Sequence, residues 1–156
     1  MRKLLYSRFF PFVSRKKSKL KNQVMLGVGG NIGDCLFCFE ALFRKISKDA
    51  RFCILSTSPI YRNPPFGYEQ QNDFLNATIQ IATSCGVTEM FRMIFYWERC
   101  FGRGRKRAFK NAPRTLDVDL LWFNQLKLSW PSLHLPHPQW HNRESVLIPL
   151  QLQTII

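Results

Sequence analysis

Thr115-Leu116-Asp117-Val118-Asp119-Leu120-Leu121 is the stretch on which the fold turns. Read as a strand, its period of two puts Asp117 and Asp119 on one face and Leu116, Val118 and Leu120 on the other. Like charges that close repel, and carboxylates at the margin of a core are costly to desolvate. A divalent cation resolves both problems. Mg²⁺ is typically held by one or two protein carboxylates, with water and substrate phosphates completing its shell. Arg114, just before the run, suits the phosphate charge that remains. The run reads as a metal–nucleotide site, whereas the bare spacing alone also fits two acids on the solvated face of an edge strand.

Working outward from this strand, elements alternate. Upstream, Thr88 is placed to cap a helix through Phe91, Ile94 and Trp97. Before it, Phe74 to Ala82 alternates Leu75, Ala77, Ile79 and Ile81 against Asn76, Thr78 and Gln80, and Phe52 to Tyr61 reads as another strand. Asp34 is placed to cap a helix with apolar positions Leu36, Phe39, Phe43 and Ile46, and Val24 to Val28 is a short apolar strand. Downstream, Asn124-Gln125 turns into a further short strand, and a last helix is expected within residues 139–148. The order β-α-β-β-α-β predicts an α+β, ferredoxin-like antiparallel sheet with helices, extended by a carboxy-terminal hairpin and helix.

The chain of 156 residues, 46% hydrophobic and 21% charged, suits one globular domain. Its formal net charge of +13 is uneven. Residues 1–23 carry Arg2, Lys3, Arg8, Arg15, Lys16, Lys17, Lys19 and Lys21 with no acid. Residues 99–114 carry Arg99, Arg103, Arg105, Lys106, Arg107, Lys110 and Arg114, again with none. Such a balance points to an anionic partner without separating nucleotide from nucleic acid or lipid. Residues 1–23 hold only short, interrupted apolar pieces, too short to span a membrane, and are expected to be a disordered basic arm ahead of a domain at 24–156. The five cysteines, odd in number and scattered, fit free thiols in a reducing cytoplasm, and Cys35-x-x-Cys38 lacks the further ligands of a zinc site.

Residues 62–72 and 102–113, rich in Pro, Gly and charge, are expected to close as loops over a ligand. Gly27-Val28-Gly29-Gly30-Asn31-Ile32-Gly33 fits neither G-x-G-x-x-G nor a P-loop, so phosphate must be held by Arg side chains and metal. His134, His137 and His141 have zinc-like spacing, but Pro136 and Pro138 prevent a continuous helix through them. His137, held between prolines, is instead suited to donate to a phosphate, reinforced by Arg143.

Five segments, in order, resemble the motifs of the 6-hydroxymethyl-7,8-dihydropterin pyrophosphokinase family. They are Gly29-Gly30-Asn31-Ile32-Gly33-Asp34, Ser58-Pro59-Ile60-Tyr61-Arg62-Asn63-Pro64-Pro65, Asp73-Phe74-Leu75-Asn76, Pro113-Arg114-Thr115-Leu116-Asp117-Val118-Asp119, and Leu135-Pro136-His137-Pro138 with Asn142-Arg143. The resemblance spans residues 24–150 and implies transfer of diphosphate from ATP to the hydroxymethyl oxygen of the pterin, releasing AMP, in folate biosynthesis. It implies that Asp117 and Asp119 hold two Mg²⁺ ions. Arg103, Arg105 and Arg114 would neutralise the triphosphate, with Arg103 and Arg114 joining the two acids as catalytic groups, and Glu98, His137 and Arg143 would contact the nucleotide. Asn76 would read the polar edge of the pterin, Phe74 would stack on it, and Asn63, Pro64 and Phe66 would complete the pocket. A cytoplasmic monomer is expected, binding ATP and 6-hydroxymethyl-7,8-dihydropterin but neither nucleic acid nor membrane.

This chain departs from the usual pattern at Gly30, where the family has Ser, at Asn63, where it has Thr, and at Lys110-Asn111-Ala112, where it has a Trp. Ser145 stands where it has an aromatic, so Phe74 is expected to stack alone unless Trp140 or Phe66 covers the other face of the ring. The alternative function is a basic, aromatic-rich ferredoxin-like module binding RNA on its sheet, but the RNP-type aromatic pattern is missing and the paired acids would repel phosphate.

Overall fold

In the computed structural model, which describes residues 1–102 and 115–156, the chain runs β1 (Lys3–Leu5), β2 (Phe12–Val13), β3 (Asn22–Gly30), α1 (Cys35–Ser47), β4 (Phe52–Thr57), β5 (Ile60–Asn63), β6 (Phe74–Thr83), α2 (Val87–Cys100), β7 (Asp117–Phe123), β8 (Leu128–Trp130), β9 (Leu133–Leu135) and α3 (Glu144–Leu152). A short 3-10 turn, Trp140–Asn142, precedes α3. Strands β4 and β5 lie end to end along one side of β6, whose other side pairs β3, which in turn pairs β7. Every pairing is antiparallel. This is the α+β, ferredoxin-like order expected from the alternation of elements, with β8 and β9 forming the extra hairpin.

The period of two divides the sheet into two faces. Val24, Leu26 and Val28 of β3, Ala77, Ile79 and Ile81 of β6, and Val118 and Leu120 of β7 share one core with α1 and α2. Helix α1 buries Cys35, Phe39, Leu42, Phe43 and Ile46, the i, i+4, i+7, i+8, i+11 stripe of an amphipathic helix. Each large side chain buried there contributes about 1.5–3 kcal/mol relative to exposure. Asp34 caps α1 as expected, its carboxylate accepting from the Phe37 amide at 3.0 Å. Leu36, read as part of the buried stripe, is exposed, and Leu42 takes that place.

On the opposite face, Met25 and Leu121 pack with Val146 of α3 and with Trp122, Trp140 and Leu150. Three polar residues on this face are satisfied by the carboxy-terminal segment. Gln153 donates to the Ser56 carbonyl and hydroxyl and accepts from Thr78, while Gln80 exchanges two hydrogen bonds with the Ile156 backbone. Buried polar groups need such partners, which is why α3 ends where it does. The helix expected within 139–148 is displaced accordingly: α3 begins at Glu144 and runs through Pro149. Burial of Val146 and Pro149 outweighs the backbone bond that a proline removes. Helix α2 also starts differently, since Gly86 and not Thr88 is its cap, with no side-chain bond.

The amino-terminal arm is the main correction. Instead of lying outside the domain, β1 pairs β5 and β2 pairs β4, so the outer edges of β4 and β5, on one side of the sheet, are covered. Phe10 is 0% exposed, and Phe9 stacks on Phe43 with ring centroids 4.3 Å apart. Composition argues for disorder only if the segment finds no surface to bury. Here Phe9, Phe10 and Phe12 meet Phe39 and Phe43 of α1, and the ladder bonds complete an otherwise unpaired edge.

Candidate active site

Strand register gathers the predicted site residues at one end of the sheet. Across β5, β6, β3 and β7, Tyr61, Asn76, Gly29 and Asp117 are direct neighbours, and Thr78, Gly27 and Asp119 form the parallel row across β6, β3 and β7. Directly paired residues share a face, so Asn76 and the two acids point the same way. Neighbouring strands lie about 4.8 Å apart, which separates the backbones of Asn76 and Asp117 by roughly 10 Å. Glycines floor this gap. A Cβ on Gly29 would stand 2.5 Å from Asn76 Oδ1, so only hydrogen leaves the amide where it is.

These glycines fit no phosphate loop and instead leave the sheet bare beside Asn76. Their alternation within a strand, Gly27 and Gly29 with Val28 between, was the available signal. Gly30 has a different reason: a Cβ there would meet the Thr115 carbonyl oxygen at 2.5 Å. The strand carrying the acids thus enters the sheet tightly against the turn after β3.

On the β5–β6 side, Asn76 Nδ2 donates to Asn63 Oδ1 at 2.6 Å, and Asn63 Nδ2 donates to the Pro64 carbonyl at 3.0 Å. The two amides therefore orient one another. Phe74 pairs Asn63 across β5 and β6 and is buried. Phe66, in the loop between these strands, is 74% exposed. Trp140 is committed elsewhere, packed edge-on against Trp122 at 5.9 Å. Asn31, absent from the predicted set, ties the turn after β3 to this loop, donating to Gln71 Oε1 and to the Asn72 carbonyl.

On the acidic side, β7 is an edge strand, and its outer rim opens into a pocket of about 340 Å³. Asp117, Asp119, Glu98 and His137 line it, together with Phe91, Phe95 and Leu133. Glu98, 7% exposed at the end of α2, accepts from the Val118 amide at 2.9 Å and so satisfies a donor on the strand rim. His137 is held by its own amide, which donates to the Leu121 carbonyl at 2.7 Å. Its Nδ1 accepts from the Gln139 amide at 3.2 Å, which leaves the proton of the neutral ring on Nε2. Burial, reinforced by the positive charge of Arg143, pushes the His137 pKa down, against an upward pull from Asp117. The ring is neutral at physiological pH and is an Nε2–H donor. Arg143 immediately precedes α3.

Arg103, Arg105 and Arg114, expected to neutralise a triphosphate, lie outside the described residues. So does most of the 102–113 loop expected to close over a ligand. The donor set suits Mg²⁺. Asp117 and Asp119 present hard carboxylate oxygens on one face, both half-buried and both opening on the rim pocket. Two protein carboxylates with substrate phosphates are the shell this cation prefers.

Comparison with known proteins decides the family. A sequence model described as 7,8-dihydro-6-hydroxymethylpterin-pyrophosphokinase matches residues 25–153. The chain belongs to this pyrophosphokinase family. Among curated members, the Helicobacter pylori 2-amino-4-hydroxy-6-hydroxymethyldihydropteridine pyrophosphokinase is 47% identical over 100% of this chain and 96% of its own length. Proteins of the same name from Campylobacter jejuni and Bacillus subtilis are 43% and 33% identical, covering 92% and 84% of this chain and 90% and 77% of their own. The pyrophosphokinase family match starts at residue 25, so β1 and β2 lie outside it, whereas the similarity to the Helicobacter pylori member extends through them.

Proposed function

We propose that this protein transfers diphosphate from ATP to 6-hydroxymethyl-7,8-dihydropterin in folate biosynthesis, with the pterin over β5 and β6 and the nucleotide along the rim of β7. The hydroxymethyl oxygen attacks the β-phosphorus of ATP, the bond from that phosphorus to the oxygen bridging to the α-phosphate breaks, and AMP leaves. The hydroxyl proton is lost as the new ester forms.

The observation that carries this reading is the shared row of Asn76, Gly29 and Asp117. An amide pair that both donates and accepts suits the edge of a pterin. A side-chain-free floor lets its hydroxymethyl arm reach toward groups held over the acids. Asp117 and Asp119 would hold Mg²⁺, which when bound neutralises phosphate charge and polarises the transferred group. The chain's own part is alignment and exclusion of water, which suffices for phosphoryl-type transfer.

The neutral His137 donates from Nε2 to a phosphate oxygen, and Arg143 adds charge beside it. Arg103, Arg105 and Arg114 are assigned to the triphosphate from sequence. Phe91, Phe95 and Leu133 offer apolar walls to the nucleoside, and Glu98 keeps the β7 rim in shape beneath it. Phe74, with Phe66 the ring at hand in the loop, is assigned to the pterin.

RNA binding is disfavoured by the same geometry. Helices α1 and α2 cover one face of the sheet, α3 packs on part of the other, and the open end carries carboxylates.

Incubation with ATP, 6-hydroxymethyl-7,8-dihydropterin and Mg²⁺ is expected to yield AMP and pterin diphosphate one for one. Asp117→Asn and Asp119→Asn keep the fold and each lower turnover by on the order of 10²-fold or more. Full activity in either variant, or AMP formation independent of pterin, overturns the reading.

A further inference from the structure

Strand β5 is only four residues long and meets β6 at three positions, yet it ends on Asn63 and feeds the loop that carries Phe66. A break at Ser58-Pro59 separates it from β4, and among the described residues of the family-matched part no strand pairs its outer edge. That edge is taken by β1, in the register Lys3↔Arg62, Leu4↔Tyr61 and Leu5↔Ile60. Further along the arm, the Ser14 amide donates to the Leu55 carbonyl at 2.8 Å, and β2 pairs β4 at Phe12↔Thr57. Between the two strands, Phe10 is sealed into the core against Phe39 and Phe43. The arm therefore spans the break and is anchored in its middle.

Its amino-terminal end reaches the site in two directions. Arg62, paired with Lys3, donates to Asp73 at 3.2 Å, the residue before Phe74. Arg2 donates to Glu144 at 3.0 Å, the residue after Arg143. Exposed pairs of this kind contribute little to stability, so their weight lies in geometry.

We propose that the amino-terminal strap is a positioning element for the pterin: β1, by closing the outer edge of β5, holds Asn63 and through it Asn76. The proposal rests on the pterin assignment made above. Because β1 touches neither β7 nor the acids, and the arm reaches the nucleotide side only through the exposed Arg2–Glu144 pair, which contributes little, its effect falls on the pterin far more than on the nucleotide. Equilibrium coupling is reciprocal, so a pterin that needs β1 in place must in turn hold β1 in place.

The test uses the full chain and a Lys3→Pro/Leu4→Pro variant. Adjacent residues of an antiparallel strand alternate in donating to the neighbour, so two consecutive prolines remove whichever amide is used while leaving Phe10 and β2 intact. Titration with 6-hydroxymethyl-7,8-dihydropterin in the presence of a non-hydrolysable ATP analogue is expected to show at least tenfold weaker pterin binding in the variant. The Kd of the ATP analogue with Mg²⁺ is expected to stay within twofold.

The second measurement needs no variant. In the unaltered protein, hydrogen exchange at Lys3–Leu5 and Tyr61–Asn63 should slow when pterin is added to the analogue complex and stay unchanged when the analogue binds alone. Equal pterin affinity in both chains, a proportionate loss of both ligands, or pterin binding without added protection of Lys3–Leu5 overturns the strap proposal alone. Absence of pterin binding in the unaltered chain overturns the pterin assignment and the strap proposal together.

Discussion

His137 shows how much of a residue's chemistry is set by its neighbours. In sequence it is a histidine between two prolines. In the structure, the Gln139 amide occupies Nδ1, and burial with Arg143 nearby holds the ring neutral. The folded pKa lies below the ordinary 6.5, so as pH falls through that value the unfolded chain takes up a proton before the folded chain does. Stability contributed by the neutral ring is full above about 6.5 and declines as pH drops toward the folded pKa. His137→Gln is expected to flatten this part of the profile, seen as a smaller fall in Tm between about pH 7 and 5 in protein free of metal and nucleotide. An unchanged slope would mean that other groups carry it. Asn63 and Asn76 make the parallel point: the family resemblance puts both in one pocket, but their mutual 2.6 Å bond follows from no local pattern.

At the scale of elements, the turn after β3 and the entry to β7 form one tightly packed unit. Gly30 lies where the family commonly has Ser, and a Cβ there would press on the Thr115 carbonyl at 2.5 Å and approach Cys35 Sγ at 3.1 Å. Backbone on one side and a buried thiol on the other leave little room to yield. Gly30→Ser is accordingly expected to destabilise the fold by about 1–3 kcal/mol, measured by urea denaturation, and to lower activity by displacing Asp117. A neutral effect would show that the β7 entry can shift. Cys35 itself is inert, its thiol pushed up to about 11 chiefly by burial. Helix α3 teaches a related lesson. A proline predicts its end, but the apolar cluster around Trp122 and Trp140 and the buried Gln153 carry the helix past it.

For the whole molecule, the +13 charge is a property of the field rather than of a contact. The described ion pairs engage Arg2, Arg44, Arg51 and Arg62, leaving most of the basic side chains of residues 8–21 and of α2 to act at a distance. An anionic nucleotide is steered by such a field and a neutral pterin is not. Raising KCl from 50 to 500 mM shortens the screening length from more than 10 Å to a few ångströms. It is expected to raise the KM for ATP roughly threefold or more while leaving the KM for pterin nearly constant. A parallel rise in both would assign the effect to something other than charge.

Legible in the residues alone were the β-α-β-β-α-β order from residue 24 onward, the shared face of Asp117 and Asp119, the cap at Asp34 and the family motifs. All of these follow from local periodicity, side-chain chemistry or short spacing. The relations between strands distant in the chain come from the folded structure alone. Register alone sets Asn76, Gly29 and Asp117 in one row, and close packing alone explains Gly30. The arm is the plainest case. Its composition is that of a disordered segment, and it is ordered because β4 and β5 offer an unpaired edge and α1 offers Phe39 and Phe43. No local pattern reports a surface that forms only when the rest of the chain has folded.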